Sequence, residues 1–449
     1  MTDDRQPWAG RRLHFVGIGG AGMSGLALVA RALAAEVSGS DRAESPALER
    51  LRAAGCAAVA GHAAGNVPPD AEIVYSTAIP EDNPERAVAR ERGQRELHRA
   101  DLLAEITALR RCVAVTGTHG KTTTSSMVVH ALRGCGMDPG YLVGGEVRST
   151  GSNAGWGAGE WVVVEADESD RSLLKLHPDI AVLTNAELDH HSTYGSRLDV
   201  DDTFREFVAR AREGIVVWDR PELTALAAHA GAPVTAYDVT DPQLDATGVR
   251  FDWRGIEVRL RVPGAHNALN ATAALEAARL AGADPAQAAA ALADFAGAGR
   301  RFERLGATAS GAEVYDDYAH HPTEVAATLA AARTLVGGRD RIVAVFQPHL
   351  YSRTRALARD FGRALAQADL VVVLDVYKAR ERPEDFPCVD GKLVADAAAD
   401  AAQGRTVAWL PHFEDAECFL RAQLRAGDVC LAMGAGNVDE LGRSLAVRP

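Results

Sequence analysis

The sequence predicts an α/β protein built from mostly parallel sheets, in which strands and helices alternate along the chain. Short apolar runs alternate with Ala- and Leu-rich helical patterns almost from end to end. Two glycine-rich turns, each between a predicted strand and a predicted helix, have the local pattern of phosphate-binding loops. With 449 residues, the chain is long enough for two to four domains.

The first predicted unit covers residues 1–109. It begins with a strand at residues 13–16, which a glycine-rich turn connects to a helix near residues 23–34. A further strand at residues 73–76 and a helix at residues 101–109 follow. The pattern then starts afresh with another apolar strand, so we expect a domain boundary there.

The second predicted unit covers residues 110–303, and the third covers residues 304–449. In the second, strand patterns occur at 112–116, 161–164 and 180–183, a hairpin-like alternation at 248–262, and helical patterns at 267–281 and 285–295. The small, glycine-containing segment 296–301 is a candidate hinge. In the third, strand patterns alternate with helices and occur at 313–315, 342–346, 370–374, 407–410 and 429–432.

The composition argues against several classes of partner. The net charge of −13 is the wrong sign for wholesale binding to nucleic acid or to an anionic membrane surface. The six cysteines are scattered without a C-x-x-C pair, which is typical of reduced thiols in a cytoplasmic protein. Neither a signal peptide nor an apolar stretch long enough to span a bilayer is visible. We therefore expect a cytoplasmic protein without a nucleic-acid or membrane partner.

The first glycine-rich turn reads Gly-Ile-Gly-Gly-Ala-Gly at residues 17–22. Glycines between a strand and a helix let the backbone approach a diphosphate at the helix N-terminus. Asp41 lies about where an acid that binds a ribose would stand. The pattern favours a nucleotide diphosphate, and the alternative is a tight turn that binds nothing.

The second turn reads Thr-Gly-Thr-His-Gly-Lys-Thr-Thr at residues 116–123. Its amides could surround phosphates, Lys121 could reach the β- and γ-phosphates, and the Thr122 hydroxyl could bind Mg²⁺. Only Thr118 and His119 separate its glycines, where the standard phosphate loop has four residues. We interpret it as a variant phosphate loop; the alternative is a Gly–Thr capping turn.

Polar clusters follow two further predicted strands. Residues 165–170 read Glu-Ala-Asp-Glu-Ser-Asp, and residues 185–191 include His190. Ligands gather at the carboxyl ends of parallel strands, and a carboxylate there can hold Mg²⁺. The first cluster is a candidate metal site, with a solvated loop as the alternative, and His190 is a weaker candidate ligand.

Arg and His residues cluster after strands in the last third, at residues 300–301, 316–322 and 347–355. Arginine can bind phosphate or carboxylate through two parallel hydrogen bonds. Together with the two loops and the acidic cluster, these residues predict phosphoryl chemistry with Mg-ATP on a second, nucleotide-like substrate. The residues alone do not name the acceptor.

The motifs together resemble the Mur ligases over nearly the whole chain, and most specifically the branch that adds L-alanine to UDP-N-acetylmuramic acid. The resemblance is carried by residues 14–25, 116–124, 165–170, 316–324 and 346–355. It implies three domains: a Rossmann-like N-terminal domain, a central ATPase domain with a phosphate loop and a Rossmann-like C-terminal domain.

The resemblance also implies a role for particular residues. The UDP substrate would be bound by Gly19, Gly20, Ala21, Gly22, Asp41, Ser76 and Thr77. ATP would be bound by Gly117, Thr118, His119, Gly120, Lys121, Thr122, Thr123, His266, Asn267, Asn270, Arg301 and Asp317. Mg²⁺ would be held by Thr122, Glu165 and His190, and the amino acid by Tyr318, His349 and Arg353. The catalytic residues would be Lys121, His190, Arg301 and His349.

Two residues depart from the family pattern, and three rival interpretations remain. Lys378 stands where the family usually carries Pro. Leu350 stands where alanine-adding members usually carry Arg. The nearest rival is the branch that recycles a preformed tripeptide, although that branch usually interrupts the first glycine motif. The second is an NAD-dependent oxidoreductase, which rests on residues 17–22 alone, and the third is a nucleotide-binding regulator without turnover. The sequence leaves open whether the protein is a monomer or a homodimer.

Overall fold

Three large sheets follow one another along the chain in this computed structural model, which describes residues 6–190, 193–337 and 340–447. They have five, seven and six strands, and a small three-stranded sheet accompanies the second. The predicted α/β class with mostly parallel sheets is confirmed. Among the described residues, no helix combines the length and the apolar character that crossing a membrane would require.

A five-stranded sheet organises the first part of the chain. Its elements are β1 (Arg12–Val16), α1 (Ala21–Ala32), β2 (Glu36–Asp41), α2 (Pro46–Ala53), β3 (Ala57–Ala60), β4 (Glu72–Tyr75), α3 (Pro84–Glu91), β5 (Glu96–His98) and α4 (Arg99–Thr107). All strand pairs are parallel, in the order β3-β2-β1-β4-β5. The order reverses between β1 and β4, so a crevice forms at their carboxyl ends.

A seven-stranded sheet organises the middle of the chain. Its elements, with those of the small sheet, are β6 (Arg111–Thr116), α5 (Lys121–Gly134), β7 (Gly140–Val147), β8 (Ser152–Gly155), β9 (Trp161–Glu165), β10 (Ile180–Leu183), α6 (Arg197–Val208), β11 (Gly214–Trp218), α7 (Pro221–Ala227), β12 (Val234–Tyr237), β13 (Gln243–Asp245), β14 (Gly248–Trp253), β15 (Ile256–Leu260), α8 (Ala265–Leu280) and α9 (Pro285–Leu292). The order is β12-β11-β10-β6-β9-β7-β8, and only the β7–β8 pair in this sheet is antiparallel.

A six-stranded sheet organises the last part of the chain. Its elements are β16 (Glu303–Ala307), β17 (Glu313–Asp317), α10 (Pro322–Arg333), β18 (Ile342–Phe346), α11 (Tyr351–Leu365), β19 (Leu370–Val373), α12 (Lys392–Ala401), β20 (Thr406–Trp409), α13 (Phe413–Gln423), β21 (Val429–Met433) and α14 (Val438–Leu445). The order is β16-β17-β21-β18-β19-β20, with β16 antiparallel to β17 and the other pairs parallel.

The interiors of the central strands are apolar, because helices cover both faces of a parallel sheet. Val113, Val163 and Val182, on three neighbouring strands of the middle sheet, are fully buried. Polar side chains cannot be accommodated within these strands without hydrogen-bond partners, so they gather where the strands end. This placement puts the chemically reactive side chains at the carboxyl edges of the sheets.

Candidate active site

A cleft of about 960 Å³ lies where the carboxyl ends of the three large sheets meet. The turn after β1, the loop after β6 and the segment after β18 all contribute to its walls. The predicted site residues that line it are Gly20, Asp41, Ser76, Thr118, Gly120, Lys121, Thr122, Glu165, His190, Arg301, Tyr318, His349 and Arg353. Residues that the sequence scatters over more than three hundred positions therefore share one cavity.

The loop between β6 and α5 has the compact form that phosphate binding requires. Gly117 and Gly120 have φ angles of +131° and +78°. A Cβ atom at Gly117 would lie 2.1 Å from Oγ1 of Thr184, and one at Gly120 would lie 2.5 Å from Oδ1 of Asn270. Both glycines are therefore required by conformation and by space. Helix α5 begins at Lys121 without a side-chain cap, which leaves its first amides available to an anion.

Lys121 holds its ammonium group inside this loop. The Nζ atom donates to the carbonyl oxygens of Gly117 at 2.6 Å and Thr118 at 3.1 Å, and to Oε1 of Glu168 at 2.9 Å. Burial would lower the pKa of Lys121, but the negative charges of Glu168, Glu165 and Asp167 outweigh it and raise that pKa. The ammonium group therefore remains charged and faces the cleft.

The predicted metal donors lie beside the loop. Thr122 Oγ1 donates to Oε2 of Glu165 at 2.9 Å, and the amide of Gly144 donates to the same oxygen at 2.7 Å. His190 Nε2 lies 3.4 Å from Oε1 of Glu168. A hydroxyl and a carboxylate are hard oxygen donors of the kind that Mg²⁺ prefers, so Thr122 and Glu165 fit a magnesium ion at this position.

A second cavity, of about 220 Å³, opens on the other side of the phosphate loop. The predicted ATP residues His119, Gly120, Thr123, His266, Asn267, Asn270, Arg301 and Asp317 line it. Burial lowers the pKa of His266 to about 4, so its imidazole is neutral near pH 7. Apolar side chains form the remaining walls of the cavity, and a flat aromatic base would fit between them. The sequence did not predict these wall residues, which are Trp218, Tyr237, Leu269 and Phe295.

Asp317 and Arg301 stand where this second cavity borders the third sheet. The carboxylate of Asp317 accepts hydrogen bonds from the amides of Phe302 and Ala319, both at 2.8 Å. Burial nevertheless raises the pKa of Asp317 to about 6. Arg301 lines both cavities, and its Nη1 lies 3.8 Å from Oε1 of Glu324. Arg301 is thus the basic side chain placed to reach a ligand that extends from one cavity into the other.

His119 lies between two carboxylates, one in the loop after β10 and the other in the first turn of α10. Its Nε2 is 3.4 Å from Oε2 of Glu187, and its Nδ1 is 3.4 Å from Oε1 of Glu324. Burial would lower the pKa of His119, but hydrogen bonds to Glu187 and Glu324 raise it to about 9. His119, Glu187 and His321 also offer ligand atoms within 4.8 Å of one another. A protonated His119 has no lone pair for a metal, so the contact is better described as an ion pair that joins the middle and last sheets.

The charge of His119 leads to a pH-dependent stability. Because its folded-state pKa of about 9 lies above its ordinary value of 6.5, the stabilisation is fully present below pH 6.5 and is lost as the pH rises through 9. We expect thermal stability to fall between pH 6.5 and pH 9, by up to about 3 kcal/mol. Thermal unfolding followed across this range should show a smaller decrease for His119→Gln. An equal decrease in both proteins would contradict this assignment.

Arg353 and Asp189 form a buried pair between the middle and last sheets. Nε and Nη2 of Arg353 donate to the two carboxylate oxygens of Asp189 at 2.8 and 3.0 Å, and each side chain is 3% exposed. Burial would raise the pKa of Asp189, but the charge of Arg353 holds it well below its usual range. Arg353 Nη1 also lies 3.1 Å from Nδ1 of His349. Most of the Arg353 guanidinium is thus engaged within the protein, and its role as an amino-acid ligand stays a prediction.

The glycine-rich turn after β1 is held by Asp41. The amide of Gly19 donates to Oδ2 of Asp41 at 2.8 Å, and a Cβ atom at Gly19 would lie 2.9 Å from that oxygen. Asp41 therefore fixes the turn and also lines the main cleft, whereas its predicted contact with a ribose stays untested. A neighbouring cavity of about 370 Å³ is lined by Gly20, Ala21, Gly22, Ser76 and Thr77. All of these lie at the crevice between β1 and β4 that the strand order creates.

Comparison with known proteins gives matches along most of the chain. Residues 12–111 match the family description "Mur ligase family, catalytic domain", residues 115–278 match "Mur ligase middle domain", and residues 300–436 match "Mur ligase, glutamate ligase domain". These segments coincide with the three large sheets described above.

Individual relatives are similar over nearly their whole length. A protein from Rubrobacter xylanophilus named UDP-N-acetylmuramate–L-alanine ligase is 46% identical over 448 residues, which cover 97% of this chain and 100% of that protein. A protein of the same name from Kineococcus radiotolerans is 49% identical over 456 residues, covering 96% of this chain and 94% of the relative. The crystal structure of a UDP-N-acetylmuramate-alanine ligase from Thermotoga maritima has a TM-score of 0.81 at 29% identity, covering 97% of this chain and 98% of that one.

Proposed function

The chain belongs to the Mur ligase family, and we propose that it joins L-alanine to the carboxyl group of UDP-N-acetylmuramic acid in an ATP-dependent ligation. The fold is the three-domain architecture of this family, and the domains of our proposal comprise residues 1–109, 110–303 and 304–449. The observation that supports the activity best is the shared cleft of about 960 Å³, into which the glycine-rich turn, the phosphate loop and His349 all face.

In the first step, an oxygen of the substrate carboxylate attacks the γ-phosphorus of ATP. The bond to the β-phosphate oxygen breaks, ADP leaves, and an acyl phosphate remains. Lys121 enters the cleft from the phosphate loop and Arg301 from the border of the third domain, so both can offset charge on the transferred phosphoryl group. The substrate's UDP moiety would be bound at the turn of residues 19–22, with Asp41, Ser76 and Thr77 around it.

In the second step, the amine of L-alanine attacks the acyl carbon. The new C–N bond replaces the C–O bond to phosphate, and inorganic phosphate leaves. Burial lowers the pKa of His349 to about 3, so its imidazole is neutral. Arg353 Nη1 donates to Nδ1 at 3.1 Å, which places the ring proton on Nε2, so His349 can donate a hydrogen bond into the cleft while the amine attacks in its uncharged form. The contacts of His119 and Arg353 hold the third domain against the middle one, which keeps the two reactants together and excludes water.

A bound Mg²⁺ would offset the negative charge of the ATP phosphates. In our proposal Thr122 and Glu165 hold it, with His190 as a further ligand. Replacing Glu165 with alanine is expected to raise the Mg²⁺ concentration for half-maximal phosphate release by about tenfold or more, because a ligand oxygen is lost. Glu160→Ala removes an exposed carboxylate just before the same strand and is the matched control. An unchanged magnesium titration for Glu165→Ala would argue against its role as a ligand.

The rival interpretations have less support. Both curated relatives described above carry the name of the L-alanine ligase, so the tripeptide-recycling branch is not favoured. An oxidoreductase would use the glycine-rich turn but would leave Lys121 and Glu165 without a function.

Because ATP and nucleotide-linked sugars are substrates of the proposed reaction, we also propose a cytoplasmic location.

A phosphate-release assay tests the proposed function directly. Purified protein is supplied with ATP, Mg²⁺ and UDP-N-acetylmuramic acid, and a panel of amino acids is compared. We expect release with L-alanine that exceeds release with glycine or L-serine. No release with any amino acid would reject the ligase activity, and a preference for glycine or serine would change the proposed substrate.

A further inference from the structure

Arg380 presents a positive charge to the cleft from the third domain. It follows β19, its side chain is exposed, and it lines both the 960 Å³ cleft and the 370 Å³ cavity beside the glycine-rich turn. It makes neither an ion pair nor a hydrogen bond through its side chain to any residue in the described ranges. An arginine that lines a cleft without an anionic partner is available to bind an anionic ligand.

The basic side chains that lie beside His349, other than Arg380, are occupied or uncharged. Two guanidinium nitrogens of Arg353 donate hydrogen bonds to the carboxylate of Asp189. Burial lowers the pKa of His349 to about 3 and that of His320 to about 4, so both imidazoles are neutral at pH 7. Leu350, next to His349, contributes only an apolar wall. Arg380 is therefore the arginine beside His349 whose guanidinium group is not already paired with a carboxylate of the described residues.

The segment that carries Arg380 is fixed on both sides. Ahead of it, the amide of Tyr377 donates to the carbonyl of Pro348 at 2.8 Å, and the amide of Leu350 donates to the carbonyl of Tyr377 at 3.0 Å. The rings of His349 and Tyr377 stack, with centroids 5.7 Å apart. Directly after Arg380, Glu381 accepts a hydrogen bond from the amide of Ser352 at 3.0 Å. The backbone of Arg380 is thus held beside His349, so less conformational entropy of this segment is lost when a ligand binds.

We propose that Arg380 binds the carboxylate of the incoming amino acid and thereby selects a free α-amino acid as the second substrate. The inference rests on the proposed ligase function and assigns the carboxylate contact of its amino-acid subsite to Arg380. A guanidinium group can bind a carboxylate through two parallel hydrogen bonds, which fixes the orientation of the amine as well as its position. The amine is then presented to the cleft that contains Lys121.

Steady-state kinetics of Arg380→Ala test this inference. We expect the KM for L-alanine to rise about 10- to 100-fold, because a charge-assisted pair is lost, while the KM values for ATP and UDP-N-acetylmuramic acid stay unchanged. Arg380→Lys should recover part of the loss. Lys378→Ala removes another exposed positive charge two residues away and is the matched control, with an expected KM close to that of the unsubstituted enzyme.

A second probe separates carboxylate recognition from a general structural effect. L-Alaninamide has the same amine and side chain but lacks the carboxylate. The unsubstituted enzyme should use it far less well than L-alanine, whereas Arg380→Ala should lose most of that preference. A retained preference would show that another group recognises the carboxylate.

The outcomes are distinguishable. If the unsubstituted enzyme releases no phosphate with any amino acid, the proposed function fails and this inference fails with it. If that enzyme is active and Arg380→Ala has an unchanged KM for L-alanine, the inference alone is overturned. A rise confined to the KM for UDP-N-acetylmuramic acid would also overturn it, since Arg380 would then contact the diphosphate instead.

Discussion

Replacing Lys121 with alanine is expected to reduce ATP-dependent phosphate release by at least about 10²- to 10³-fold. The ammonium group is the positive charge that the phosphate loop contributes to the cleft, and neighbouring carboxylates keep it charged. Its removal would leave the charge on the transferred phosphoryl group without this partner. The measurement is the rate of phosphate release at saturating ATP and both other substrates.

The fold should persist in this variant, but with a lower thermal midpoint, because the buried carboxylate of Glu168 loses its ion-pair partner. Circular dichroism and the thermal midpoint check this point. Lys175→Ala is the matched control, since Lys175 pairs with Asp101 at the surface and is not among the residues that line the cleft. Normal turnover by Lys121→Ala would remove the catalytic assignment of this residue.

Replacing Asp189 with alanine is expected to weaken the docking of the third domain by about 3–5 kcal/mol. The variant would leave the guanidinium group of Arg353 buried without its carboxylate, and unpaired buried charges are strongly destabilising. Because the pair joins two domains, we expect the third domain to separate before the whole chain unfolds. Small-angle X-ray scattering should show a larger radius of gyration, and the ligase rate should fall with it.

A double variant tests whether the charge itself is the cause. Asp189→Ala combined with Arg353→Met removes both charges and should recover much of the lost stability. The matched control is Arg333→Ala, which breaks the exposed pair with Asp369 and should cost less than about 1 kcal/mol. A thermal transition unaffected by Asp189→Ala would show that the pair does not hold the domains together.

The regular parts of the fold could be predicted because their signals are local. The strands Ile180–Leu183 and Ile342–Phe346 are continuous apolar runs, and their predicted and observed limits coincide. Strand β7 was not predicted, because Gly140, Gly144 and Gly145 interrupt any apolar alternation. Strand β16, which pairs antiparallel with β17, was also missed. Its five residues carry no local pattern that indicates a pairing partner.

The candidate site shows the same division between local and distant information. The phosphate loop and the acidic segment after β9 could be identified from motifs, as could their position at strand ends. The pairing of Lys121 with Glu168 joins residues 47 positions apart, and that of Arg353 with Asp189 joins residues 164 positions apart. Such pairs depend on how whole sheets meet, and no local pattern encodes that arrangement.

Gly144 restricts substitution at a place where tolerance would ordinarily be expected. It is exposed and lies in an irregular strand, both of which usually permit changes of side chain. Yet a Cβ atom there would lie 2.7 Å from Oε2 of Glu165, so even alanine and that carboxylate would compete for the same space. A side chain at this surface position would therefore have to displace the carboxylate that the Gly144 amide holds, and its cost would be felt at the proposed metal ligand before it was felt in the strand.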